Sequence, residues 1–181
     1  MVPNTTMRLA AVIKAIDDII APAIPEDKKL AQEQLGLIKK SIALVKDQIT
    51  HEYGFIVRDA LDCFRLADEL AAIMADNEPL RTNLLAQRAK GEEVVPAKIP
   101  NRREAEDFLR SFKKVLEDTV ATLLSSQPRS PLEQDQQIKI RRAVLEHSER
   151  QTLRERAWVV ATGFDTDPAS LPSIEDILFK T

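Results

Sequence analysis

A row of apolar residues at seven-residue spacing constrains the fold of this chain more than any other feature. Six successive positions of the row are apolar without a slip: Leu35, Ile42, Ile49, Ile56, Cys63 and Leu70. Residues at this spacing lie on one face of an α-helix. Other apolar residues make that face wider than the seam of a two-stranded coiled coil: Leu30, Leu37, Leu44, Val57, Leu61 and Phe64. The pattern predicts a long helical segment, residues 26–76, that packs in a helical bundle.

This segment is too long to remain one straight helix in a compact domain. A helix of about 50 residues extends roughly 75 Å, because each residue adds 1.5 Å. A compact domain of 181 residues has an expected radius of gyration of about 16 Å, hence a diameter of about 40 Å. We therefore predict a break or kink near residues 50–54. Gly54 is the expected break point, and Thr50 is the expected cap of the new start.

The remaining sequence predicts an all-α fold. Gly, Tyr and Trp are rare, whereas residues that favour helices abound. Capping patterns at Asn101 and Ser173 indicate further helix starts, and Gly91 is expected to close a helix that begins near Pro79. We predict a single-domain antiparallel helical bundle of six or seven helices over residues 1–163. A loop and a short C-terminal helix in 164–181 are expected to dock on the bundle or on a partner.

Composition excludes several classes of function. The formal net charge of −3 gives no reason to expect nucleic-acid binding. Two distant histidines and one cysteine do not form the usual zinc patterns, and four scattered glycines do not form a phosphate-binding loop. We therefore expect no metal, no cofactor and no catalytic residue, and a protein that is more readily explained as a non-enzyme.

Two features of the sequence indicate the cellular compartment. Charged residues interrupt the first apolar run at Lys14, Asp17 and Asp18, which is not typical of a signal sequence or a membrane span. Cys63 has no second cysteine with which to form an internal disulfide, and its place in the apolar row predicts a buried, unreactive thiol. We expect a cytoplasmic protein.

Two carboxylates lie in a helical row that is otherwise apolar. Glu52 and Asp59 share this row with Ile38, Val45, Leu66 and Ile73. A carboxylate that is buried without a partner costs several kcal/mol, so each is exposed, paired or protonated. The polar middle of the last long helix offers His147, Arg150 and Arg154 as partners. A buried polar cluster of these five residues would hold the register of the helices, bind a polar ligand, or carry out acid–base chemistry near pH 7.

The alternative is that both segments lie at helix breaks or on the surface. Ser148 and Gln151 form a capping pattern, which allows a break in the last long helix. Similarly, the pairs Arg58–Asp62 and Arg65–Glu69 are spaced four residues apart and are expected to form a solvated ladder.

A basic stretch offers a different kind of site. Arg102 and Arg103 lie at an expected helix N-terminus, which attracts anions. Together with Arg81, Arg88 and Lys98 they would form an anion-binding rim, or alternatively a solvated basic loop.

Three functional hypotheses follow. The leading one is a non-catalytic helical interaction or assembly protein that binds a protein partner or itself, most simply as a homodimer. The alternative is a bundle with a small-molecule or acid–base site lined by Glu52, Asp59 and the His147 region. A third hypothesis is binding of nucleic acid or an acidic partner through residues 98–114.

Overall fold

The computed structural model describes residues 4–74, 77–95, 101–125, 127–128 and 130–180. Within these ranges the chain is helical and contains no strand, which confirms the predicted all-α class. A π-helical turn, Ile16–Ile20, joins the first two helices. The helices are α1 (Thr5–Ala15), α2 (Ala21–Ala23), α3 (Lys29–Gln48), α4 (Glu52–Ile73), α5 (Glu78–Val94), α6 (Arg102–Leu124), α7 (Pro131–Val159) and α8 (Ile174–Phe179).

The long apolar segment is broken as predicted, but by different residues. α3 ends at Gln48 and α4 begins at Glu52. The turn between them is closed by the His51 amide, which donates to the Gln48 carbonyl oxygen at 2.8 Å. Gly54 lies inside α4, and the Thr50 hydroxyl donates backwards to the Asp47 carbonyl oxygen at 3.4 Å. The prediction that Gly54 breaks the helix and that Thr50 caps the new one was therefore wrong.

The chain divides into two compact units. The terminal unit comprises Met1–Glu52 and Arg154–Thr181, and the central unit comprises Tyr53–Leu153. The antiparallel arrangement of all helices in one domain, with a docking tail, stays a prediction.

An apolar core holds the central unit together, and α4, α5, α6 and α7 all contribute to it. Three aromatic rings lie at its centre: the Phe64 ring centroid is 6.3 Å from that of Phe108 and 5.7 Å from that of Phe112. Cys63 is fully buried in this core, as its place in the apolar row predicted. Other core residues include Leu66, Leu70, Leu84, Leu109, Leu116 and Ile140.

Gly91 has a different role from the predicted helix cap. α5 continues past it to Val94, and Gly91 is buried. A Cβ atom at this position would lie 2.5 Å from the Cζ atoms of Phe64 and Phe108. The glycine thus allows α5 to pack closely against two aromatic rings, which explains why the prediction that it ends the helix was wrong.

The terminal unit buries far less apolar surface. α1 packs on α3, and the Lys39 Nζ atom lies 2.7 Å from the Asp17 Oδ1 atom. Ile16 is buried, yet no residue in α3 is. Near the C-terminus Leu178 is buried, and the Phe179 ring centroid lies 6.1 Å from that of His51.

A bidentate ion pair fixes the chain of the terminal unit beyond α7. The Nε and Nη2 atoms of Arg156 each donate to the Asp165 carboxylate at 2.9 Å. Gly163, with φ of 79°, lets the chain reverse between the two residues. The hydrogen bonds from Arg156, with that from the Asp167 amide, lower the pKa of Asp165 to about 2.

Candidate functional site

Asp59 is buried and paired, but its partner is on a helix that the sequence did not indicate. Only 6% of the residue is exposed, and the Lys113 Nζ atom of α6 lies 2.6 Å from the Asp59 Oδ2 atom. Lys113 lies in a strongly charged stretch of sequence, where a solvated position is the ordinary expectation. The exposed end of this ion pair gives the central unit a cation at the edge of its core.

A second buried carboxylate lies one turn further along α4. The sequence placed Asp62 in a solvated ladder, but it is only 3% exposed, so that prediction was wrong. Its Oδ1 atom lies 3.7 Å from the Arg150 Nε atom and 3.8 Å from the Arg58 Nε atom. The two guanidinium groups compensate the buried charge, because α7 packs on this face of α4 and excludes water from it.

His147 of α7 lies beside these two carboxylates and is 8% exposed. Burial lowers the pKa of His147, and the positive charge of Arg150 lowers it further. A hydrogen bond to the Asp62 backbone and the charges of Asp62 and Asp59 oppose this shift only in part. His147 is therefore neutral near pH 7. Among the residues that the structure describes, none offers a hydrogen-bond partner to its buried Nδ1 atom.

The five residues predicted to form one cluster are divided between the two units. Asp59, His147 and Arg150 come together in the central unit, with Lys113 and Asp62 as members that the sequence did not identify. Glu52, the half-buried first residue of α4, and Arg154, which is 1% exposed, belong to the terminal unit.

α7 runs without interruption through this region. The Ser148 hydroxyl donates to the Val144 carbonyl oxygen at 2.9 Å, so it does not cap a new helix. The break that the capping pattern allowed is therefore absent from α7, whose Pro131–Val159 range is fully described.

A groove of about 510 Å³ opens beside His147. Its polar lining residues are Lys113, Glu117, His147, Ser148 and Gln151. Its walls are mainly apolar and come from α4, α6 and α7: Leu66, Leu116, Val120, Ala121 and Val144. The groove has the composition of a site for an apolar molecule that carries a polar group.

The predicted anion-binding arginines face acidic neighbours on their own helix. The Arg102 Nε atom lies 2.7 Å from the Glu106 carboxylate, and the Arg103 Nε atom lies 4.0 Å from the Asp107 carboxylate. Part of their positive charge is therefore balanced within α6. Lys98 of the predicted rim lies outside the described residues.

α3 exposes a group of apolar residues to solvent. Four apolar residues of this helix are about half exposed or more: Leu30 (71%), Leu37 (52%), Ile38 (51%) and Val45 (48%). At 100° per residue they lie on one side of the helix, and Gln34 and Ser41 lie along its middle. These six residues form a continuous surface without charge, which we call the α3 face.

Charged residues line one border of the α3 face. Lys29, Glu33, Lys40 and Asp47 are all exposed and follow each other along this border with alternating sign. The positions of the opposite border nearest to the face are apolar: Ala31, Ile42 and Ile49. Its first charge, Lys46, lies as far from the middle of the face as Lys29 and Asp47, and farther than Glu33 and Lys40. Directly beside the face, one border is therefore charged and the other is apolar.

Within the described ranges, no three His, Cys, Asp or Glu side chains are grouped so that they could hold a metal ion. No described helix is both long enough and apolar enough to cross a membrane. Comparison with protein-family models, curated proteins and solved structures found no match to this chain.

Proposed function

We propose that this protein is a non-catalytic helical interaction protein that associates with itself through the α3 face. The observation that carries this proposal is the burial of α3: the helix has 20 residues, and none of them is buried. Isolated apolar residues on a surface are ordinary, as Leu132 and Leu145 of α7 illustrate. The exposed residues of α3 instead share one uncharged face, and contiguous apolar surfaces of this kind are typical of interfaces.

A second copy of the same chain is the simplest occupant of such a face. In a two-fold dimer the same surface contributes on both sides, so a single apolar face is enough to build the interface. Association would remove Leu30, Leu37, Ile38 and Val45 from water. Burial of a leucine side chain is worth about 1.5–3 kcal/mol, and each residue occurs twice in a symmetric pair.

Light scattering coupled to size-exclusion chromatography tests the proposal. We expect the wild-type protein to change from monomer to dimer as its concentration rises. Leu37→Lys should weaken the association by roughly tenfold or more, because a charge enters the apolar face on both copies. Leu145→Lys is the matched control, since Leu145 is 60% exposed on α7, and it should leave the association unchanged. A wild-type protein that is monomeric at every concentration reached would overturn the proposal.

The groove of the central unit supports a second candidate function, the binding of a small apolar molecule that carries an acidic group. The specific observation is the combination of apolar walls with Lys113 and His147 among the lining residues. The Lys113 ammonium group, which also contacts Asp59, would contact the acid.

Anilinonaphthalene sulfonate, an apolar anion, is a suitable fluorescent probe for this groove. Ala121→Trp fills the groove without removing an ionic partner, and it should abolish most of the increase in probe fluorescence. Thr122→Trp places the same side chain on a neighbouring exposed position that does not line the groove, and it should retain the increase. Equal fluorescence in the wild-type protein and the Ala121→Trp variant would exclude the groove as the binding site.

A further inference from the structure

We infer that two copies of this chain pair through their α3 helices in opposite directions, about a two-fold axis that passes beside residues 37 and 38. This inference rests on the proposed self-association and adds its direction and register. Three features of the α3 face carry it: the positions of the apolar residues, the polar line in the middle, and the charges along one border.

The apolar residues are arranged symmetrically about the middle of α3. Leu37 and Ile38 are adjacent, and Leu30 and Val45 lie seven residues to either side of them. When the helix is turned end for end about this point, Leu30 lies at the same level along the axis as Val45 of the second copy, and Leu37 lies at the level of Ile38. Every exposed apolar residue of the face then has an apolar residue of the second copy at its own level.

The polar line of the face has the same centre. Gln34 and Ser41 are equally far from the point between residues 37 and 38. In the reversed pairing, Gln34 of each copy therefore lies opposite Ser41 of the other. The Ser41 hydroxyl donates to the Leu37 carbonyl oxygen at 2.9 Å, so its oxygen is free to accept a hydrogen bond from the side-chain amide of Gln34.

The charged border distinguishes the two possible directions of pairing. In an antiparallel two-fold pair, each border of a helix faces the same border of the second helix. In a parallel pair, each border faces the opposite one. Glu33 and Lys40 are the charges nearest to the face, and both lie on one border. A parallel pair would place these two charges against the apolar border, Ala31, Ile42 and Ile49, where they have no ionic partner.

Along the charged border, reversal brings opposite charges together. Glu33 and Lys40 have their midpoint between residues 36 and 37, and Lys29 and Asp47 have theirs at residue 38. Both points lie within two residues of the centre of the apolar pattern. Each end of the border thus meets the opposite charge of the second copy, which favours this direction and disfavours a shifted register.

Disulfide cross-linking of two single variants tests direction and register together. Cys63 is fully buried, so an introduced cysteine is the reactive thiol at the surface. We expect a mixture of Gln34→Cys and Ser41→Cys to form a covalent dimer under mild oxidation. Neither variant should cross-link with itself, because seven residues of helix separate equivalent positions by about 10 Å, beyond the reach of a disulfide.

The possible outcomes separate this inference from the proposed function. Cross-linking of each single variant with itself would indicate parallel pairing and overturn the inference. A dimer by light scattering that gives no cross-link in the mixture would overturn the register and leave self-association standing. A protein that does not dimerise in light scattering would overturn the proposed function itself.

Charge reversal provides an independent test in otherwise unmodified chains. Glu33→Lys and Lys40→Glu should each weaken dimerisation by roughly three- to tenfold, because each places like charges together twice in the symmetric pair. The double variant Glu33→Lys, Lys40→Glu should restore the affinity, since each reversed charge again meets its opposite. These positions are two turns apart on one helix, so restoration would report contacts between copies. Two single effects that simply add in the double variant would contradict the pairing.

Discussion

α3 and α4 share one apolar row, but they differ in what covers it. Leu35, Ile42 and Ile49 of the row are half buried, whereas Ile56, Cys63 and Leu70 are buried. α4 contributes ten buried residues and α3 contributes none. Seven-residue spacing therefore predicts which side of a helix is apolar, but whether that side is buried depends on the helices that pack against it.

The packing of α4 explains the difference. Three helices of the central unit, α5, α6 and α7, contribute side chains to the same core as α4. α3 is in contact with α1 and with the 3-10 turn Val160–Thr162. Substitutions in the core should therefore lower the free energy of unfolding of the central unit. Substitutions on the α3 face should mainly weaken association. The following predictions test that contrast, from the largest expected effect to the smallest.

Truncation of a core residue should separate the two regions most clearly. Phe112 is 1% exposed and stacks on Phe108 at 5.6 Å. Phe112→Ala should lower the free energy of unfolding by about 3–5 kcal/mol, measured by urea unfolding followed with circular dichroism. Leu37→Ala, on the α3 face, should change it by about 0.5 kcal/mol or less in a protein that is dilute enough to be monomeric.

An equal loss in free energy of unfolding for Phe112→Ala and Leu37→Ala would show that the α3 face is covered in the monomer. It would contradict the difference between the two regions. If Phe112→Ala does not fold at all, Phe112→Leu retains most of the buried volume and should show a smaller loss of the same sign.

Alanine substitution of two glycines should change the stability of the protein in opposite directions. Gly91→Ala should destabilise the protein by about 1–2 kcal/mol, because the new methyl group overlaps two aromatic rings and the gain in helix propensity offsets only part of this cost. Gly36 lies in α3 with no atom within 4 Å of an added Cβ. Gly36→Ala should stabilise it by about 0.5–1 kcal/mol. Thermal unfolding of both variants measures this difference, and destabilisation by Gly36→Ala would indicate a neighbour of α3 that the monomer does not contain.

The smallest expected effect is a dependence of stability on pH in the central unit. The pKa of His147 is lowered in the folded protein, so the unfolded chain binds a proton first as the pH falls through about 6.5. The stability that neutral His147 contributes is present above that pH and is lost as the pH falls towards the folded pKa. His147→Gln should reduce this loss, as measured by urea unfolding at several pH values.

His51→Gln, which replaces the other histidine, is the matched control for this measurement. It should retain the loss of stability that His147 confers. A pH dependence that is the same in the wild-type protein and the His147→Gln variant would contradict the role assigned to the buried imidazole.

Features that depend on local chemistry were predictable from the sequence. The Asn101 and Ser173 side chains accept hydrogen bonds from the backbone amides of Glu104 and Asp176, as their capping patterns predict. Gly163 takes the positive φ with which it ends the helical stretch. In each case the residues that decide the structure are within a few positions of one another.

Features that depend on packing between helices were not predictable in the same way. Asp62 has the four-residue spacing to Arg58 that is typical of a solvated pair, yet it is buried because α7 covers it. Lys113 was not identified as the partner of Asp59, since 54 residues separate them in sequence. Gly91 looked like a helix cap because the two rings that require its small size are far away in the chain.

Because Cys63 is buried, labelling of its thiol can report local opening of the central unit. The thiol is 0% exposed in the core, so a thiol reagent reaches it only when the surrounding helices separate. Under conditions where closing is faster than modification, the rate of labelling measures the equilibrium population of the open form. The unmodified chain therefore allows the opening free energy of this unit to be followed in the presence of a ligand or partner, without an introduced label.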